Sequence, residues 1–114
     1  MIFYYICKNF NKMNYKELAN KVEQVVCDHI GITTDMVFER TKKGVCVKAR
    51  HLSIFILHTL YHVPISCLSL RYNFSVRHIF KAVAQIRDYI QYNRYYSDLC
   101  HEIVKELQYQ NITM

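Results

Sequence analysis

Between Ser75 and Lys81 the chain reads Ser-Val-Arg-His-Ile-Phe-Lys, which concentrates side chains able to contact nucleic acid. Arginine grips guanine through two hydrogen bonds, histidine donates or accepts one, and valine can meet a thymine methyl. With Ile79, Val83 and Ile86 as an inner stripe, Val76, Arg77 and His78 face outward and are the candidate base contacts. Lys81, one turn after Arg77, suits a phosphate better than a base, and Ser75 can cap a helix or bond a phosphate. Lys42, Lys43, Lys48 and Arg50 complete the set of candidate backbone contacts.

The charge pattern supports this grouping. From Arg40 to Arg87 there are nine lysines and arginines and no aspartate or glutamate, whereas the rest of the chain holds six basic and nine acidic residues. A carboxylate-free middle third between acidic flanks is what a surface facing a polyanion requires. The plainer alternative is an excess of Lys and Arg on solvated helix faces.

Other chemistries find little support. Five cysteines (7, 27, 46, 67 and 100) are widely spaced, odd in number and without a C-x-x-C pair, which reads as free thiols in a reducing cytosol. His58 and His62 have helical i,i+4 spacing but no acidic or thiol neighbour in register, so no metal is expected. There is no carboxylate pair, Cys/His dyad or glycine-rich loop in register, and the acidic residues read as scattered over outer helix faces. The expectation is a protein that is not an enzyme and takes no cofactor. No run approaches the roughly 20 apolar residues of a membrane span, and the opening Ile2–Cys7 lacks the flanks of a signal peptide, so a cytoplasmic protein without membrane contact is expected.

These side chains need helices to position them. Two glycines and one proline are too few for many short strands. Residues 1–13 read as a poorly ordered N-terminal extension, with Met13 as a candidate start, and 14–110 as a single helical domain. Apolar spacing predicts a helix over 15–30, capped by Asn14 and stopped at Gly31, then a short helical turn over 35–39 and a basic loop over 40–44. A long helix over 45–62 follows, with Leu52, Phe55, Ile56 and Leu60 inward; Lys48, His51, His58 and Thr59 face outward. Residues at 54 and 57 widen its apolar stripe, so it is expected to be central. Pro64 opens a helix over 65–72. After a break at Asn73-Phe74, Ser75 caps a helix reaching about Tyr92, and Asn93 or Ser97 opens the last one, with Leu99, Ile103 and Leu107 inward. Two helices joined by so short a turn, behind a long supporting helix, have the layout of a helix-turn-helix.

The stretch from about Val22 to Leu107 resembles the C-terminal, origin-binding domain of the bacterial replication initiator DnaA. Gly31-Ile32-Thr33-Thr34-Asp35-Met36-Val37 resembles that family's short turn before its basic loop. Lys48-Ala49-Arg50-His51-Leu52-Ser53-Ile54-Phe55-Ile56-Leu57 is similar to A-R-Q-[IV]-A-M-Y-L, with Arg50 at the family's arginine. Ile65–Tyr72 resembles L-x-x-I-G-x-x-[FY], with Ser69 at the small position, and Ile79–Ile86 resembles V-x-H-A-x-x-K-I. Between these blocks the family carries G-[RG]-D-H-[ST]-T. Here Asn73–His78 fill the interval, with Ser75 at the cap and Val76, Arg77 and His78 at the reading positions.

The resemblance implies an all-α fold of five to six helices around a helix-turn-helix, Trp-repressor-like in type. It also implies binding to double-stranded DNA in replication initiation or its regulation, association with the nucleoid, and contact with other replication proteins. The chain has no G-x-x-x-x-G-K-[ST] run, so ATP-dependent origin melting is not expected of it. The alternative is a helical protein-interaction domain that kept the fold and lost specific DNA binding. Tyr89, Tyr92, Tyr95, Tyr96 and Tyr109 suit that role if exposed, or form a half-buried seam between the last two helices.

Overall fold

The computed structural model describes residues 12–39 and 43–110, and within them the chain is all-helical, with no strand. Five α-helices follow in order: α1 (Lys12–Ile30), α2 (Gly44–Thr59), α3 (Ile65–Tyr72), α4 (Val76–Tyr92) and α5 (Arg94–Tyr109), with a 3₁₀ turn (Thr34–Phe38) between α1 and α2.

Each helix is set by its apolar face and its ends. In α1, Tyr15, Leu18, Ala19, Val22, Val25 and Val26 recur at three and four and are all buried. Gly31 stops it in the left-handed region (φ 91°), letting the Ile32 amide donate to Cys27 O at 3.1 Å. The helix is already formed at Lys12, so Asn14 lies inside it and is not its cap.

α2 is the central helix. Cys46, Ala49, Leu52, Ser53, Ile54, Ile56 and Leu57 are buried around most of its circumference, against α1 on one side and α4 on another. It ends at Thr59, three residues earlier than the apolar spacing suggests. His62 adopts φ 60° and the Val63 amide turns back to Leu57 O at 3.0 Å, because the residue before Pro64 is barred from helical geometry. Leu60, expected inward, is exposed for this reason, and Phe55 is only half-buried.

α3 begins after Pro64, its N-cap, and buries Leu68 and Tyr72. α4 buries Ile79, Ala82, Val83 and Ile86 against α2, α3 and α5. Asn93 ends α4 and opens α5, its side chain accepting from the Tyr95 amide at 3.0 Å, and Ile103 and Leu107 return to the core. Lys42 and residues 1–11 lie outside the described residues.

A candidate nucleic-acid interface on the α3–α4 turn

The three residues joining α3 to α4 are held by both helices. Asn73 takes the left-handed conformation (φ 56°, ψ 47°), which asparagine tolerates better than most side chains. The amides of Asn73 and Phe74 both donate to Ser69 O, the second at 3.1 Å, and the Ser69 hydroxyl donates to Phe74 O. Ser75 then caps α4 as its residue type predicts, its Oγ accepting from the His78 amide at 3.1 Å.

On this frame Val76, Arg77, His78 and Lys81 are all solvent-exposed. The first turn of α4 contains no acidic residue, so the positive end of the helix dipole is not offset there. Arg77 and Lys81 have no carboxylate within ion-pair distance among the described residues. His78 is not a free rotor: its ring stacks on Phe74 with centroids 4.0 Å apart and planes 4° apart, and His51 meets it edge-on at 6.0 Å. Burial, then the neighbouring His78 and Arg50, lowers the pKa of His51 below its ordinary 6.5.

The upstream basic residues divide into two groups. Lys43 is exposed at the N-cap of α2. Lys48, expected to face solvent, is half-buried: its Nζ donates to Tyr95 Oη at 2.9 Å and lies 4.7 Å from that ring's centroid. Its neighbours in a small cleft include His51, Gln85, Tyr89 and Tyr96, which sets it beside the third turn of α4.

Arg50, expected at a nucleic-acid backbone, is instead an internal residue. It is 7% exposed, its Nε donates to Val37 O at 2.9 Å and its Nη2 to Glu39 O, and the guanidinium lies 5.4 Å from the Phe74 ring. It thus fastens the end of the 3₁₀ turn to α2, where carbonyls would otherwise be stranded.

Arg71 is likewise withdrawn from the surface charge. It forms a two-pronged ion pair with Glu23 (Nε–Oε2 2.8 Å, Nη2–Oε1 2.7 Å) and also donates to Asn20 Oδ1 at 2.7 Å. The Tyr72 hydroxyl donates to the same carboxylate, and burial together with the Glu23 charge holds its pKa well above the ordinary 10.0. Glu23 is 1% exposed, so it does not belong to the outer helix faces where the acidic residues were expected. The acid, phenol and guanidinium satisfy one another, and together they lock α1 to α3. Nothing in the sequence flags this lock, because Glu23 and Arg71 are 48 positions apart.

The tyrosines divide as well. The rings of Tyr89 and Tyr96 meet at a tilt between α4 and α5, centroids 4.8 Å apart, with Tyr96 half-buried and Tyr89 at the exposed margin; Tyr92, Tyr95 and Tyr109 are exposed as well. Cys27 and Cys46 are buried free thiols, and burial, followed by the charges of Glu23 and Asp28, pushes Cys27 up to about 11. His58 Nδ1 lies 3.1 Å from Val63 O, and no group of three or more metal-ligating side chains is clustered among the described residues. Nor is any described helix long and apolar enough to cross a membrane.

No protein-family model matches the chain, and no curated protein matches it.

Proposed function

We propose that this chain binds double-stranded DNA through its helix-turn-helix and acts at a replication origin or as a regulator, without ATPase chemistry of its own. The N-terminal turns of α4 enter the major groove, with Arg77, His78 and Val76 toward base edges. Ser75 and Lys81 meet phosphates on one side, and Lys43 and Lys48 on the other. From Ser75 to Gln85, beside which Lys48 lies, α4 rises about 15 Å, comparable with the roughly 12 Å width of the groove. The observation that carries the reading is the exposed, carboxylate-free first turn of α4, presented on a turn that Ser69, Asn73 and Ser75 hold rigid.

A salt titration of binding to random duplex tests it. Three lysines on phosphates (Lys43, Lys48 and Lys81) give a log–log slope near −2.7, or roughly a 40-fold loss of affinity between 50 and 200 mM salt; the neutral Ser75 contact does not add to the slope. Binding that is the same at both concentrations sinks the proposal. Arg77→Ala is expected to relax base preference, and Lys81→Ala or Lys48→Ala to weaken all sequences alike. A second reading, a protein-interaction domain on the same fold, draws on exposed Tyr92 (80%) and Tyr109 (85%). Absence of any duplex binding at 50 mM salt would favour it.

A further inference from the structure

Two large apolar side chains stand in the open on the helix proposed to read DNA. Val76 is 47% exposed and Phe80 57% exposed, although the core of α4 is otherwise well covered. At about 100° per residue they lie one turn apart on a single flank of the helix, with Arg77 and Ala84 along its centre and Lys81 turned toward the opposite flank, where His78 lies. Ala84 is exposed as well. The outward face of α4 therefore has an apolar edge, a cationic middle and an imidazole edge.

We infer that Val76 and Phe80 form a specificity element for pyrimidine 5-methyl groups, so that the preferred duplex carries thymines beneath this flank. The inference rests on the duplex-binding reading and specifies which duplexes that site prefers. Thymine is the base whose methyl projects into the major groove, and apolar side chains discriminate it by contact. Val76 and Phe80 are separated by about 6 Å along the axis and base steps on one strand by about 3.4 Å, so the two methyls belong about two steps apart.

A protein partner fits the flank less well. The groove behind Phe80 (about 590 Å³, walled by Val63, Pro64 and Ile65) has Arg87 and two histidines at its rim and no carboxylate among its lining residues. Two apolar side chains also fall well short of the roughly 800 Å² per partner that a stable protein interface covers.

The test uses the whole chain. Duplexes selected from a random pool are remade with deoxyuridine replacing each thymidine in turn, which deletes one methyl and leaves pairing intact. At two positions the replacement is expected to weaken binding about fourfold, the effect of burying one methyl-sized group. Phe80→Ala is exposed enough to leave folding unchanged, and it should bring the thymine-to-uracil ratio at one of those positions close to one while keeping the salt dependence. Uracil tolerated at every position, or a ratio unchanged by Phe80→Ala, overturns the inference and leaves duplex binding standing. Failure to select any duplex overturns both. If Phe80→Ala instead abolishes self-association in sedimentation and leaves the ratio alone, the flank is a contact between copies and the inference fails.

Discussion

Replacing Arg50 with alanine separates a structural arginine from a DNA-contacting one. The side chain makes a buried hydrogen bond to Val37 O and a partly buried one to Glu39 O, and its guanidinium lies against Phe74. A charge-assisted bond to a buried carbonyl contributes about 1.5–3 kcal/mol, and water can partly replace the second. The ring contact adds about 0.5–1 kcal/mol. The sum is about 3 kcal/mol, or a drop in Tm of roughly 12 °C for a domain of this size. Arg50→Lys keeps the charge but loses the planar fork whose Nε and Nη2 reach two separate carbonyls, so about half the drop is expected. Thermal unfolding followed by circular dichroism reads both variants. Salt titration of DNA binding, at a temperature where each is folded, should give the wild-type slope. A variant that melts within 3 °C of wild type while its salt slope shrinks by about one would show that Arg50 holds a phosphate and that its internal placement is wrong.

Three further outcomes follow from the same structure. Glu23→Gln leaves a largely buried guanidinium without its carboxylate and should destabilise by about 3 kcal/mol; a double-mutant cycle with Arg71→Met should show strong coupling, and additive effects would refute the lock. At Asn73 (φ 56°), glycine should be neutral to slightly stabilising, whereas valine should cost about 1–2 kcal/mol in urea unfolding; equal stability of the two variants would contradict the left-handed turn. His51 has a pKa lowered by burial, His78 and Arg50, so the unfolded chain takes up its proton first as pH falls. Its contribution to stability is complete above about pH 6.5 and diminishes below it, and His51→Gln should flatten that part of a Tm-against-pH profile.

What could be read from the sequence was local. Apolar residues at three and four place the α1, α4 and α5 stripes, and Gly31, Ser75 and Asn93 mark boundaries through chemistry confined to one turn of helix. The exposed Val76, Arg77, His78 and Lys81 were legible for the same reason: a helix with a known inner face has a known outer one. The fate of each arginine was not. Arg50 and Arg77 look alike in a count of charge, but one meets two carbonyls on a segment 11 to 13 residues upstream and the other faces solvent. Arg71 is neutralised by a carboxylate from the first helix, and the stacking of His78 on Phe74 depends on a turn whose path is set by Ser69. Burial of charge depends on the tertiary fold, and a sequence pattern is silent on it. The early end of α2 was legible in principle, since Pro64 constrains Val63, although the apolar stripe runs on to Leu60.

The lock between Glu23, Arg71 and Tyr72 bears on how small a working piece of this protein can be. A fragment beginning at α2 would keep the supporting helix, the turn and the reading helix, which is everything a motif search would retain. It would also strip the counter-charge from a guanidinium seated inside the fold and leave the Tyr72 phenol facing a void. The portable unit therefore begins with α1. A graft of α3 and α4 onto another scaffold would need a carboxylate supplied at the position Glu23 occupies.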